Sequence, residues 1–209
     1  MSEVDIRVAR VVSEAGCGVG PTRASMCGHD VQFYRSDEYL THAVIDFLVA
    51  GLRAGQPLVV IATAAHRRAF AEGLRARGVD PDELFSDRFV LWLDARTALS
   101  SFMEGGMPNR ELFEATVGSV FQRLLEKRSY LIVRAYGEMV DLLAKDGNVD
   151  GAVMLERLWN ELGDQYQYSL LCGYSVEHLF QEAGEDGLSR ILSLHTHSLP
   201  LEAIDGHAA

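Results

Sequence analysis

The chain has 209 residues, of which 48% are hydrophobic and 23% charged, a balance typical of a soluble globular protein. With 19 Lys and Arg against 30 Asp and Glu, its net charge is −11, which argues against nucleic acid or an anionic membrane surface as the main partner. No apolar run is long enough to span a membrane, and no secretory signal precedes the three cysteines. We therefore expect a cytoplasmic protein with reduced thiols.

The first part of the chain is weakly patterned, and glycines and a proline interrupt it. We therefore predict a flexible N-terminal arm at 1–27. A short strand is predicted at 29–34, followed by a helix that Ser36 caps and that acidic residues in its first turn stabilise. Apolar residues recur at helical spacing after it, and Gly55 is predicted to end this helix.

Four apolar runs farther along the chain predict strands, because runs without polar positions suit strands covered on both faces of a parallel sheet. These strands are 58–62, 89–93, 130–133 and 168–173. Amphipathic helices separate them, at about 65–77, at about 109–127 and around Trp159. The alternation predicts an α/β domain with a mainly parallel central sheet. A loose tail is predicted at 201–209.

Aromatic and titratable residues collect near the predicted carboxyl ends of these strands, where open parallel sheets bind ligands. The candidate ligand-binding residues are His29, Phe33, Tyr34, Arg134, Tyr136, Glu138, Cys172, Tyr174, His195 and His197. Aromatic walls with a few oriented polar groups are the usual composition of a small-molecule site. We expect His29, Cys172 and His197 to approach one common pocket.

Two of these candidates also have a structural interpretation. Glu138 is either a polar anchor for a ligand or a first-turn helix glutamate paired with Arg134. Cys172 is either a pocket thiol, with His29 or His197 as its base, or a small buried hydrophobe. No complete catalytic motif accompanies them, so we assign no catalytic residue.

Metal and nucleotide signatures are weak. His195 and His197 could share an ion with Cys172, His29 or Cys27, but an isolated HxH carries little weight without a CxxC pair or HExxH. The turn at 62–67 lacks the glycines and the lysine of a P-loop, and no GxGxxG follows a strand. We therefore expect neither a metal nor another cofactor.

Five segments in order resemble the MEDS domain, the methanogen/methylotroph DcmR sensory domain. They are 28–34, 134–140, 155–162, 170–174 and 195–200. The resemblance covers about 28–200 and implies a three-layer RecA/KaiC-like α/β fold that has lost its phosphate-binding motifs. It also implies a sensory role with small hydrocarbon-derived ligands. Members of the family are fused to DNA-binding domains or kinases. Since this chain has no room for either, we expect a separate signalling partner.

The leading hypothesis is thus a non-enzymatic sensory domain in signal transduction or transcriptional control. It would bind a small apolar ligand and contact neither nucleic acid nor membrane. One alternative is a degenerate nucleotide-binding or protein-interaction module of RecA/KaiC type. A second alternative is an enzyme that uses Cys172 with a histidine.

Overall fold

The computed structural model describes residues 27–86, 89–126 and 132–199. The predicted arm, apart from Cys27, and the predicted tail lie outside these ranges. The division of the chain into arm, domain and tail therefore stays a prediction.

Six parallel strands form the central sheet, in the order β3-β2-β6-β7-β1-β8. They are β1 (Gly28–Tyr34), β2 (Leu58–Ala62), β3 (Val90–Asp94), β6 (Val133–Gly137), β7 (Tyr168–Ser175) and β8 (His197–Ser198). Two short strands, β4 (Met103–Glu104) and β5 (Met107–Pro108), form a separate antiparallel hairpin. Gly105 and Gly106 turn it with φ of 58° and 83°, as a two-residue turn with positive φ at both positions requires.

Helices cover both faces of the sheet, which confirms the predicted α/β class. They are α1 (Asp37–Arg53), α2 (Ala64–Ala76), α3 (Pro81–Ser86), α4 (Ala95–Phe102), α5 (Arg110–Phe113), α6 (Ser119–Leu125), α7 (Met139–Lys145), α8 (Val149–Gln165) and α9 (Val176–Leu192). The Ser36 side chain accepts the Tyr39 N–H and caps α1, as predicted. In the described ranges, no helix is both long and apolar enough to cross a bilayer.

Two predicted elements differ from the structure. A π-helical turn, Glu114–Gly118, interrupts the helix predicted at 109–127. The strand predicted at 130–133 is β6, which begins only at Val133. The apolar residues 130 and 131 of the predicted strand lie outside the described ranges.

The sequence placed β6 too early because the strand contains a buried arginine. The Arg134 guanidinium donates to Gln56 Oε1 at 2.8 Å and lies 4.5 Å from the centre of the Phe47 ring. These partners replace the water that an arginine loses on burial. Arg134 and Tyr136 therefore lie within an inner strand rather than beyond its end.

Side chains alternate between two core clusters on the two faces of the sheet. The α1 face packs against α1 and α2 and includes Tyr34 and Tyr136. The α8 face packs against α4 to α9 and includes Phe33, Cys172 and Tyr174. The five candidate residues that belong to these clusters are therefore divided between the two faces of the sheet.

Candidate functional site

His29 and Cys172 meet on the α8 face, as predicted, with 3.3 Å between His29 Nε2 and Cys172 Sγ. His197 is not the third member of this group. Its Nδ1 lies 2.9 Å from Asp30 Oδ1, and Asp30 follows His29 on the strand, so its side chain points to the opposite face. His195, rather than His197, lies beside His29, with 4.2 Å between the centres of the two rings.

Four side chains form what we call the His–Cys–Glu cluster: His29, Glu156, Cys172 and His195. All four are buried, and Glu156 is fully inaccessible. Glu156 Oε2 lies 3.0 Å from His29 Nε2 and 3.5 Å from Cys172 Sγ, while Oε1 lies 3.3 Å from His195 Nε2. Helix α8 thus places a carboxylate against groups from β1, β7 and the segment before β8.

Hydrogen bonds on the outer side of the cluster hold the two imidazoles. His195 Nδ1 lies 2.8 Å from the Ile191 carbonyl oxygen, which can only accept, so this nitrogen carries a proton. His29 Nδ1 lies 2.9 Å from Asn160 Oδ1, and the Asn160 amide nitrogen donates to the Leu194 carbonyl. Both rings are therefore held with Nε2 facing Glu156.

The charges of the cluster are strongly coupled. Burial alone would raise the pKa of Glu156, but His195 and His29 outweigh it, and the pKa lies well below its usual range. Tyr174 Oη also donates to Glu156 Oε1 at 2.7 Å. The carboxylate is therefore the ionised centre of this buried cluster.

The thiol of Cys172 has a histidine neighbour but not the environment of a nucleophile. Burial, and then the Glu156 carboxylate, raise the pKa of Cys172 well above its ordinary value. A reactive cysteine needs a lowered pKa and access for its substrate. The cluster therefore offers no support for the alternative of a Cys/His-dependent enzyme.

A second group of polar residues lies at the carboxyl edge of the sheet, around Glu138. Its carboxylate accepts the Thr63 N–H at the start of α2, lies 2.5 Å from His66 Nδ1 and accepts from Tyr136 Oη at 3.3 Å. The interpretation that pairs Glu138 with Arg134 is wrong, because Arg134 binds Gln56 instead. The Glu138 carboxylate already occupies the helix N-terminus at which a phosphate would bind.

His66 lies between two carboxylates, with Nε2 3.4 Å from Asp37 Oδ1. Burial lowers the pKa of His66, but its hydrogen bond to Glu138 and the charges of Glu138 and Asp37 together raise this pKa by more than burial lowers it. The net shift is therefore upward. Because the pKa of His66 is higher in the folded state, its protonation stabilises the fold at pH values below the unfolded-state pKa of 6.5. This stabilisation is lost as the pH rises through the folded-state pKa.

We therefore expect wild type to exceed His66→Asn in stability by about 1.5 kcal/mol at pH 5.5, from its charge-assisted hydrogen bonds. The difference should shrink as the pH is raised to about 9. Urea unfolding of both proteins across this range measures it. The exposed His42 on α1 provides a control: His42→Asn should change the stability by no more than about 0.5 kcal/mol. A constant difference at every pH would contradict the ion-pair assignment.

Tyr34 has a structural partner at the same edge. Its hydroxyl donates to Asp141 Oδ2 at 2.8 Å, and Asp141 Oδ1 accepts the Ser175 N–H at 2.8 Å. Lys145 completes the group with Nζ 2.8 Å from Asp141 Oδ2. Asp141 on α7 therefore ties together the carboxyl ends of β1 and β7.

An apolar crevice lies on the α8 face, between the end of β1 and α9. Its lining residues are Phe33, Val176, Leu179, Phe180 and Leu188. In this structure the crevice is closed and has no room for a water molecule.

The wall of the crevice is discontinuous. Helix α9 is broken at Gly184, whose φ of 60° and ψ of −162° are not helical. The break separates the lining residues at the start of α9 from Leu188.

Sequence reasoning did not select Glu156, Asn160, His66 or Asp141 as site residues. Glu156 had a detectable signal: it shares a helical face with Ala152 and Trp159, which are both buried, and Asn160 follows it by one turn. A glutamate on an apolar helical face needs a buried partner. The partners of His66 and Asp141 come from distant segments, so no pattern in the neighbouring sequence indicated these contacts.

Comparison with known proteins gives one match. A family model described as MEthanogen/methylotroph, DcmR Sensory domain (MEDS) matches residues 28–196, most of the chain. Comparison with curated proteins and with solved structures returned no match.

Proposed function

The chain belongs to the MEDS family of sensory domains, and from this premise we propose that it senses a small apolar molecule in the crevice between β1 and α9. The binding event would be passed to a separate signalling protein. The observation that carries this proposal is an apolar crevice at the carboxyl edge whose wall is a broken helix.

The crevice suits an apolar ligand. All five lining residues are hydrophobic, and four of them come from α9. Phe33 comes from β1, and its ring centre lies 6.2 Å from that of Tyr174. A small apolar guest would gain free energy by leaving water, at about 25 cal/mol per Å² of buried surface.

Ligand entry requires movement, because the crevice is too narrow to admit even water. Gly184 provides the place for it: its positive φ marks a break, and no atom lies within 4 Å of the position where a Cβ would stand. Helix segments joined at such a point can move apart without disturbing the sheet. A change in the position of α9 on ligand binding is the signal that a partner protein would read.

Methyl NMR of the full chain tests the site. Benzene and cyclohexane, used as small apolar probes, should cause saturable shifts at the methyl groups of Val176, Leu179 and Leu188. The methyl groups of Leu48 and Leu74, buried on the α1 face, should not move. Shifts confined to the α1 face, or no saturable shift with either probe, would refute the crevice as the sensory site.

Two matched glycine variants test the hinge. Gly184→Ala and Gly78→Ala both place a side chain at a positive φ, 60° and 75°, with open space around the new Cβ. Only Gly184→Ala should change the affinity for benzene, and it should raise it, because strain destabilises the closed helix. If the two variants bound benzene with equal affinity, movement at Gly184 would not be part of ligand entry.

A further inference from the structure

We propose that the His–Cys–Glu cluster is a closed four-ligand site for Zn²⁺ that ties together β1, α8, β7 and the segment before β8. The ligand atoms are Nε2 of His29, Nε2 of His195, Sγ of Cys172 and a carboxylate oxygen of Glu156. This proposal is independent of the crevice, because it concerns a resident metal and not the sensed molecule.

The spacing of the donor atoms fits a tetrahedral ion. Zn²⁺ holds nitrogen and oxygen at about 2.0–2.1 Å and sulfur at about 2.3 Å, so ligand atoms around it lie about 3.3–3.6 Å apart. With Glu156 Oε2 as the carboxylate ligand, the separations among this oxygen, His29 Nε2 and Cys172 Sγ are 3.0, 3.3 and 3.5 Å. All four donor atoms lie within 4.8 Å of one another, so even the widest pair needs to close by no more than about 1.5 Å.

The surroundings prepare these atoms as ligands. The imidazole of a metal-bound histidine usually donates its other N–H to a carbonyl or carboxylate oxygen, which fixes the tautomer. Asn160 Oδ1 serves His29 in this way at 2.9 Å, and the Ile191 carbonyl serves His195 at 2.8 Å. Tyr174 Oη orients the carboxylate of Glu156 at 2.7 Å. Three of the four ligands thus have an outer hydrogen bond that directs the remaining donor atom inwards.

Charge balance favours an ion at the centre. A buried carboxylate must be compensated. The His29 and His195 rings, whose centres are only 4.2 Å apart, both direct Nε2 at this carboxylate. Zn²⁺ with the Cys172 thiolate and the Glu156 carboxylate forms a neutral unit and leaves both imidazoles neutral. Binding would release the thiol proton of Cys172 to solvent.

The donor set indicates which metal is bound and what it does. A thiolate with two imidazoles and one carboxylate is typical of zinc rather than of magnesium or calcium, which prefer oxygen ligands. All four positions come from the protein and the cluster is buried, which leaves no coordination position for substrate. The role is therefore structural.

Metal reconstitution of the full chain tests the site. After removal of metal with a chelator, wild type should bind one equivalent of Zn²⁺ or Co²⁺, and its Tm should rise with metal concentration. The Co²⁺ protein should show the intense visible bands of tetrahedral cobalt and a thiolate-to-cobalt charge-transfer band. Cys172→Ser should lose the charge-transfer band. The double variant Cys17→Ser/Cys27→Ser, which keeps only Cys172, and His197→Asn should retain it.

X-ray absorption on the wild-type zinc protein provides a test that does not depend on the folding of any variant. One sulfur neighbour at about 2.3 Å and three nitrogen or oxygen neighbours at about 2.0–2.1 Å are expected. Six light neighbours, several sulfurs, or a charge-transfer band that disappears in Cys17→Ser/Cys27→Ser would overturn the proposal. So would the absence of stoichiometric binding by folded wild type.

Discussion

Replacing Glu156 by leucine is expected to lower the free energy of unfolding by about 3–5 kcal/mol at pH 7, because it removes one partner of a buried charged group. The variant leaves His29, His195 and Tyr174 facing an apolar side chain. Polar groups that lose their partners in the core cost their full desolvation energy. Urea unfolding in the presence of a chelator measures this loss without any contribution from metal.

Two further variants separate the effect of the Glu156 charge from the effect of its buried position. Glu156→Gln keeps an acceptor for Tyr174 and gains a donor for a neutral imidazole, so its loss should be smaller, about 1–2 kcal/mol. Glu161→Leu alters a half-buried glutamate on the same helix, paired with Arg110 at the surface, and should cost less than about 1 kcal/mol. If Glu156→Leu were no more destabilising than Glu161→Leu, the carboxylate would not be the centre of the cluster.

Replacing Val60 by aspartate is expected to cost about 4 kcal/mol or more and to lower Tm by about 10 °C or more. Val60 is fully buried on β2, which pairs with β3 on one side and with β6 on the other. A carboxylate at this position loses its hydration among the apolar side chains of the α1 face, and the guanidinium of that face, Arg134, is already bound to Gln56. Thermal unfolding followed by circular dichroism measures the effect.

Val60→Thr provides the matched comparison, because threonine has nearly the shape of valine. Its buried hydroxyl should cost about 1–3 kcal/mol. The difference between the two variants is then the effect of charge. A Val60→Asp variant that melts within about a degree of wild type would show that β2 is peripheral, contrary to its place in the sheet.

Local patterns were sufficient for the elements built from short-range rules. The apolar run at Leu58–Ala62 predicted β2 with its observed bounds, because every side chain of that strand is buried. Ser36 and Gly55 predicted both ends of α1, since capping and a positive φ depend on a few neighbouring residues. The same rules misplaced β6, because Arg134 is compensated by Gln56, 78 residues away in the sequence.

By itself, the sequence determined the α/β class and the resemblance to a sensory family, because these depend on periodicity and on motifs read along the chain. Only the tertiary structure decided which polar groups share a site. It divided Tyr34 and Phe33, adjacent in sequence, between two faces of the sheet, and it brought Glu156 to His195. Alternation along a strand reverses the direction of each successive side chain, and packing joins segments whose separation leaves no local trace. The composition of a buried polar cluster is therefore a property of the fold rather than of any one segment.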